Sequence, residues 1–360
     1  MSGTSLDGVD AALTEFTNDD GKNIRCRVLH TYSLPFDDDL RQELIALHQS
    51  GLNELERTAL AGNQLAKIYA QAIKGLIQKA GIQASEVEAI GCHGQTIRHR
   101  PELGFTLQIG NAALLAELTN ITVVSDFRSR DVAANGQGAP LVPAFHQAVF
   151  AQSNVNRVLI NIGGIANLSV LHPNKEIIGF DSGTGNMLMD AWAERHLGQR
   201  FDEAGKWAMS GQVIDELLSQ LMAHAYFKQP PPKSTGRDLF NMEWLSAQLK
   251  NEYAPQDVQR TLLEFTARTI ADAVTNHAED THEIYLCGGG AYNSALFECL
   301  QRLLHPIKIG LSDALGIKVD AVEAAAFAWL ARQTLLRAPG NLPCVTGADG
   351  LRILGAIYAS

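Results

Sequence analysis

The chain has 360 residues, 46% of them hydrophobic and 19% charged, with a net charge of -10. That content suits two domains better than one, and the acidic balance argues against nucleic acid or an anionic membrane as a partner. Five scattered cysteines (Cys26, Cys92, Cys287, Cys299, Cys344), with no signal peptide and no membrane-length apolar run, read as buried thiols in a cytoplasmic globular protein.

The chain opens on a turn rich in glycine and hydroxyls, Met1 to Gly8. It reads either as a plain loop or as a phosphate cradle in which Asp7 holds a metal-bound water. A strand from Val9 to Phe16, a turn at Asn18 to Gly21 and a return strand from Ile24 to Tyr32 follow. The spacing predicts helices over Asp37 to His48 and Asn53 to Ala80, the second ended by Gly81. Val87 to Cys92 is expected as a short buried strand delivering His93-Gly-Gln-Thr96, a polar cluster where α/β sheets bind ligands. A hairpin (Thr96 to Arg100, Phe105 to Ile109), a helix (Asn111 to Leu118) and a buried strand (Ile121 to Val124) lead to Ser125 to Asp131. Arg128 and Arg130 there read either as a solvated loop or as a binding site for carboxylate or phosphate. Ala133 to Val142 is expected to be a flexible connection, and Ala144 to Phe150 a helix.

The central stretch, Asn156 to Ala191, carries the strongest pattern. An apolar run from Val158 to Ile162 enters Gly163-Gly164, a second runs from Ile165 to Leu171, and a third, Glu176 to Phe180, delivers Asp181 into Ser182 to Asn186. Paired glycines let backbone N–H groups face an anion. Asp181 beside them could be a base for phosphoryl transfer, or only the cap of the next helix. Helices are expected at Gly185 to His196, Val213 to Phe227, Met242 to Lys250 and Pro255 to His277. Pro230 to Asp238 forms an irregular loop between them, expected to be the most mobile segment. A buried strand, Glu283 to Cys287, ends in Gly288-Gly289-Gly290 and a helix starts near Asn293. This arrangement suits a nucleotide but is neither a Walker A sequence nor a GxGxxG fingerprint. The last helix, Asp320 to Leu335, is rich in alanine and carries Glu323 in its first turns, where an acid is favourable to the helix dipole in any case. Both halves start with a glycine hairpin, which points to an internally duplicated α/β unit.

The motifs MSGTSLDGVDA (1–11), CHGQT (92–96), DFRSRD (126–131), GQGAPLVP (136–143), NIGGIANLS (161–169), GFDSGTGN (179–186), CGGGAYN (287–293) and VDAVEAAAFA (319–328) fall in order along nearly the whole chain. With them the chain resembles the anhydro-N-acetylmuramic acid kinases of the actin, Hsp70 and hexokinase superfamily. The resemblance implies an α/β fold of duplicated actin/hexokinase-like (ribonuclease H-like) domains, each a mixed sheet flanked by helices, with a nucleotide cleft between them. Domain I would be 1–143 and domain II 144–360, with the last helix free to pack back on domain I.

The resemblance also implies a murein-recycling reaction. Water opens 1,6-anhydro-N-acetylmuramic acid, and ATP with Mg2+ phosphorylates the released O6. Asp181 would be the base and Glu323 a supporting carboxylate. ATP would meet Gly3, Thr4, Ser5, Leu6, Asp7, Gly8 and Asp10 at the first turn, and Asn161, Gly163, Gly164 and Asn167 at the second. Gly288, Gly289, Gly290 and Asn293 would contact adenosine, with Asp7 near the metal. The sugar would meet His93, Gln95, Thr96, Asp126, Arg128 and Arg130, with Arg98 nearby. The expected partner is thus a small sugar, with no nucleic acid or membrane and a homodimer left open. The alternatives are another sugar kinase of the superfamily and a non-catalytic ATP-gated module. Members of the family carry a short apolar strand before MSGTSLDG, so a native start about seven to ten residues upstream of Met1 is also expected.

Overall fold

Period-two and continuous apolar runs set the strands. In the computed structural model, which describes residues 1–3, 6–17, 24–237 and 239–360, these are β1 (Gly8–Thr17), β2 (Arg25–Pro35), β3 (Ile90–Gly91), β4 (Gln95–Arg100), β5 (Phe105–Ile109), β6 (Val123–Ser125), β7 (Arg157–Ile162), β8 (Ile165–Leu171), β9 (Ile178–Thr184), β10 (Glu283–Cys287), β11 (Lys308–Leu311) and β12 (Ala356–Tyr358). The chain divides into a first unit, Met1–Val149 with Ala321–Ser360, and a second, Phe150–Asp320. The turn expected at Asn18 to Gly21 lies outside the described residues.

In the second unit every residue of β7 is buried, which a near-continuous apolar run allows only in a strand covered on both faces. It is accordingly central, in the order β11-β10-β7-β8-β9. β10 runs parallel to β7 and to β11, while β8 is antiparallel to β7 and β9. The helices Met187–Leu197 and Pro255–His277 press Leu188, Trp192, Leu262, Phe265 and Val274 into one core with Val158, Ile160, Leu168 and Phe180. Truncating Phe180, fully buried beside Asp181, would cost about 3–5 kcal/mol and release its neighbour.

The first unit is also an α/β unit, with a mixed sheet in which β6 runs parallel to β3 and antiparallel to β12. Its described strands form three sheets: β1-β2, β12-β6-β3 and β4-β5. β3 is only two residues long. There the chain runs so close to the helix Val322–Leu335 that a side chain at Gly91 would meet the Phe327 carbonyl at 2.1 Å. Met1 pairs with Asp10 of β1 in both directions, N–H to carbonyl, at 2.7 and 2.8 Å. The helix Glu54–Ala80 buries Leu65, Tyr69, Ala72 and Leu76 against Val9 and Ala11 of β1. The segment 321–360, which the sequence division places after residue 144, lies with this unit. Asn341 donates to Asp131 at 2.8 Å, and Thr334 donates to the Leu354 carbonyl.

Three further expectations are corrected. The helix expected at Val213 to Phe227 is Asp215–Met222, followed by a separate turn, Ala225–Lys228, that the His224 ring caps at Tyr226. The helix expected to reach Lys250 stops as Met242–Ser246. Ala133 to Val142 is held rather than flexible: Gly138 N–H donates to Asp131, Gln137 N–H to Thr346, and Asp349 N–H to Ala134. Among the described residues no helix is long and apolar enough to cross a membrane.

Candidate active site

Strand pairing lines up the predicted residues of the second unit. Cys287 of β10 stands opposite Asn161 of β7, Asn161 opposite Asn167 of β8, and Asn167 opposite Asp181 of β9. Directly opposed residues share a sheet face, so Asn161, Asn167 and Asp181 form one polar row across three strands. A one-residue shift at Ala166/Asn167 makes this register. It inserts Ser182 as a bulge, whose hydroxyl donates to the Ala166 carbonyl at 3.1 Å. Asp181 therefore sits within β9 rather than at the mouth of a helix. It does not cap the helix Met187–Leu197 either, whose N-cap is Asn186 with no side-chain cap bond. The buried Asn167 Oδ1 has no hydrogen-bond partner among the described residues. An orphaned acceptor costs about 1–3 kcal/mol, so it calls for a water or a ligand donor.

Asp181 lies on the edge strand, and residues 226–235 cover that edge. Asp181 N–H donates to the Lys233 carbonyl (3.1 Å), the Tyr226 hydroxyl donates to the Asp181 carbonyl (2.6 Å), and Thr235 N–H donates to Asp181 Oδ2 (2.9 Å). The Lys233 ammonium sits over the Tyr226 ring, 4.7 Å from its centroid. Burial pushes this ammonium below its ordinary pKa, opposed by the Asp181 charge. Burial, and then the Asp181 charge, push the Tyr226 hydroxyl up, so it remains a neutral donor.

The Gly163-Gly164 turn is docked on the start of the following helix. Asn186 N–H donates to the Gly163 carbonyl at 2.8 Å, and Gly185 N–H to Gly164 at 2.9 Å. In the triple glycine the three positions differ. A Cβ on Gly288 would meet Asn161 Oδ1 at 2.3 Å and one on Gly290 would meet Ile162 Cγ2 at 2.3 Å, whereas one on the exposed Gly289 meets nothing nearer than Asn186 Nδ2 at 3.9 Å. Fold demands thus account for Gly288 and Gly290 but not for Gly289. Asn293 caps the helix Ser294–Leu303 through Oδ1 to Leu296 N–H, so its oxygen has a structural task.

In the first unit, Gly3 accepts from Gln95 at 3.1 Å, and Leu6 is buried with a left-handed backbone (φ 56°). Asp7 is exposed beside Gly8, and Asp10 accepts from Ser33 at 2.6 Å. Thr4 and Ser5 lie outside the described residues. His93 is buried and stays neutral. Its Nδ1–H donates to the Gly94 carbonyl, its Nε2 accepts from Arg128, and burial followed by the Arg128 charge holds its pKa well down. Arg128 also donates to the Gly138 carbonyl at 2.7 Å, and Arg98 is paired with Glu54. These two cations are therefore committed inside the protein. Arg130 is exposed and makes no hydrogen bond or ion pair with the described residues. Gln95 Oε1 is buried without a partner among the described residues, and Thr96 accepts from Gln108 at 3.1 Å. Asp126 accepts from Ser129 N–H at 3.4 Å. Glu323 occupies the first turn of the helix Val322–Leu335.

Sequence reasoning missed Tyr226, Lys233 and Thr235, which surround Asp181, and Asp131, whose two oxygens accept three protein hydrogen bonds. The polar run Lys233-Ser-Thr-Gly236 between prolines and buried Phe240 was the available signal for the first group.

A family model described as anhydro-N-acetylmuramic acid kinase matches residues 1–360. Relatives carrying that name include a protein of Nitrosomonas europaea, 55% identical with 99% of this chain and 98% of the relative covered. Another, of Nitrosospira multiformis, is 54% identical with 99% and 97% covered. Among solved structures, component A of the Acidaminococcus fermentans (R)-2-hydroxyglutaryl-CoA dehydratase is 15% identical, with 88% of this chain and 99% of that chain covered and a TM-score of 0.42.

Proposed function

The chain belongs to the anhydro-N-acetylmuramic acid kinase family, and from that premise we propose that it opens 1,6-anhydro-N-acetylmuramic acid with water and phosphorylates the freed O6 with ATP. The products are N-acetylmuramic acid 6-phosphate and ADP, as murein recycling requires. The observation that carries the reading is the row Asn161–Asn167–Asp181, which sets a carboxylate beside an unsatisfied amide oxygen on one sheet face.

Asp181 takes a proton from water as the water oxygen bonds to C1 and the C1–O6 bond breaks. O6 then bonds to the γ-phosphorus as the bond to the ADP oxygen breaks, and one proton is released overall. A general base contributes about 10²–10⁴ in rate. Asn167 suits a donor from the water or the nucleotide. Gly163 and Gly164 form the second phosphate turn, and Gly3, Leu6, Asp7 and Gly8, with Asp10 behind them, the first. Gly289 leaves room for the nucleotide backbone-side, in keeping with its open surroundings. His93, Gln95, Thr96, Asp126 and Arg130 are assigned to the sugar, Arg128 acting by orienting His93, and Glu323 supports the reaction electrostatically.

Magnesium fits Asp7, which is exposed beside the first turn. No group of three or more His, Cys, Asp or Glu side chains able to hold a metal occurs among the described residues. Mg2+ held by one or two carboxylates plus substrate phosphates needs no such group; bound there, it would neutralise phosphate charge.

The test is ATP turnover with and without the anhydro sugar in ¹⁸O-water. Sugar-dependent ADP with one ¹⁸O at C1 and none in the phosphate is expected. Sugar phosphate that keeps its anhydro bond, or ATP turnover indifferent to sugar, would overturn the reading.

A further inference from the structure

The segment 226–235 engages Asp181 at three points, and only one of them reaches the carboxylate. Asp181 N–H and C=O are held by Lys233 and Tyr226, as an added strand would hold an edge, and this fixes the backbone. The remaining contact, Thr235 N–H to Oδ2 at 2.9 Å, fixes the rotation of the side chain. The segment is itself anchored on both sides. Tyr226 is 3% exposed, and the Gly236 carbonyl accepts from the N–H groups of Leu239 and Phe240. Phe240 is fully buried and stacks on Phe227, with centroids 5.6 Å apart and planes at 19°. The donor thus rides on an aromatic core rather than on a free loop.

We propose that Thr235 is a positioning residue for Asp181: its backbone N–H, not its hydroxyl, aims the carboxylate at the water that opens the anhydro ring. This rests on Asp181 being the base proposed above. A carboxylate can turn about its last bond at little cost, and each turn redirects the lone pair that must meet the proton. Holding one oxygen with a donor on rigid backbone selects one orientation before substrate arrives. Misplacement by about 1 Å at such a centre costs up to about a hundredfold in rate, so loss of this one bond is expected to cost about tenfold. The ammonium of Lys233 does not do this work, because its Nζ donates to the Tyr226 carbonyl (3.3 Å) and lies over the Tyr226 and Phe180 rings.

The experiment compares Thr235→Ala, which keeps the N–H, with a backbone ester at position 235, which removes only the N–H and keeps the threonine side chain. Sugar-dependent kcat and the KM values for ATP and sugar are measured at matched folded fraction. The ester variant should lose about tenfold in kcat with both KM values held, and Thr235→Ala should lose clearly less than the ester. Thr235→Pro, if it folds, should repeat the ester result. An ester variant with wild-type kcat overturns the proposal, as does a Thr235→Ala variant that loses as much as the ester. A wild-type protein without sugar-dependent turnover would instead overturn the functional reading, so the two failures are distinct.

Discussion

Two buried aspartates, one in each unit, do opposite things. Asp131 is fully buried with both oxygens spent: Oδ1 accepts from Asn341 and Thr346, each at 2.8 Å, and Oδ2 accepts from Gly138 N–H at 2.8 Å. Its donors come from Gly138, seven residues along the chain, and from Asn341 and Thr346 near the far end, so its charge ties two distant stretches together. Asp181, 8% exposed, accepts from Thr235 N–H through Oδ2 and stands opposite Asn167, whose amide oxygen has no hydrogen-bond partner among the described residues. A buried carboxylate enclosed by three protein donors is spent on the fold, whereas one in a row with an orphaned acceptor stands where a ligand donor is called for. Burial alone does not separate the two; the accounting of hydrogen bonds does.

Substituting each aspartate by asparagine should break the comparison most sharply. Asp181→Asn keeps the shape but cannot accept the water proton, so sugar-dependent turnover should fall by at least about 10² while the melting temperature and both affinities hold. A variant keeping more than about a tenth of wild-type turnover would show that Asp181 is not the base. Asp131→Asn should do the reverse. Its new NH2 group would face a donor, with roughly 1.5–3 kcal/mol lost for each charge-assisted bond affected. Calorimetry should show a lowered melting temperature with kcat per folded molecule retained.

Acid should also separate the units. His93, His99 and His146 of the first unit are all held below their ordinary pKa, chiefly by burial, His99 at about 4 and His146 at about 3. Unfolded, each would titrate near 6.5, so below that pH the unfolded chain binds more protons and stability falls as pH drops towards the folded values. Each group can remove up to about 1.4 kcal/mol per pH unit in that window. In the second unit His196 and His277 are shifted in the same direction but are less buried. Hydrogen exchange at pH 7 and pH 5 should therefore show the first unit losing protection first; equal loss in both units would refute this.

What could be read in advance follows the range of the interactions. The β7–β8 hairpin, the long helices and the triple glycine are written in local periodicity and turn chemistry, and they fall where expected. β11 has four residues of mixed polarity, Lys308-Ile-Gly-Leu311, too few to show a period. β3 is only two residues long, and the close approach at Gly91 is made by a helix from the far end of the chain. The residues of the row were each visible in NIGGIANLS and GFDSGTGN, but their alignment depends on a bulge at Ser182, which no local pattern announces. Thr235 was invisible for a different reason: it acts through its backbone N–H, which every residue but proline possesses.

Glycine substitutions sharpen the contrast between fold and ligand within one turn. Gly289→Val should fold, because its side chain enters open space, yet weaken ATP by roughly tenfold, about 1.4 kcal/mol, with sugar affinity unchanged. Gly290→Val would drive a branched side chain into Ile162 and should fail to fold or melt much earlier. Titration calorimetry of the folded Gly289→Val protein decides it: equal weakening of ATP and sugar would give Gly289 a structural task after all.

The smallest expected effect separates Arg128 from Arg130. Arg128 donates to His93 and Gly138, so Arg128→Ala should leave the buried His93 Nε2 without its donor and lower the melting temperature. Arg130 is exposed and makes no such bond among the described residues, so its removal should leave stability alone. In a chain of net charge -10, an anionic sugar approaches against the overall field and gains from a local cation. An exposed charge pair is worth about 1 kcal/mol at most, or roughly fivefold in affinity, and salt screens it. Arg130→Ala should therefore weaken the anhydro sugar about three- to fivefold at low salt, and less at high salt. An analogue lacking the lactyl carboxylate should bind both proteins alike, because it has no charge to lose. If both sugars weaken equally, Arg130 recognises something other than that carboxylate; if neither weakens, the anion is met elsewhere.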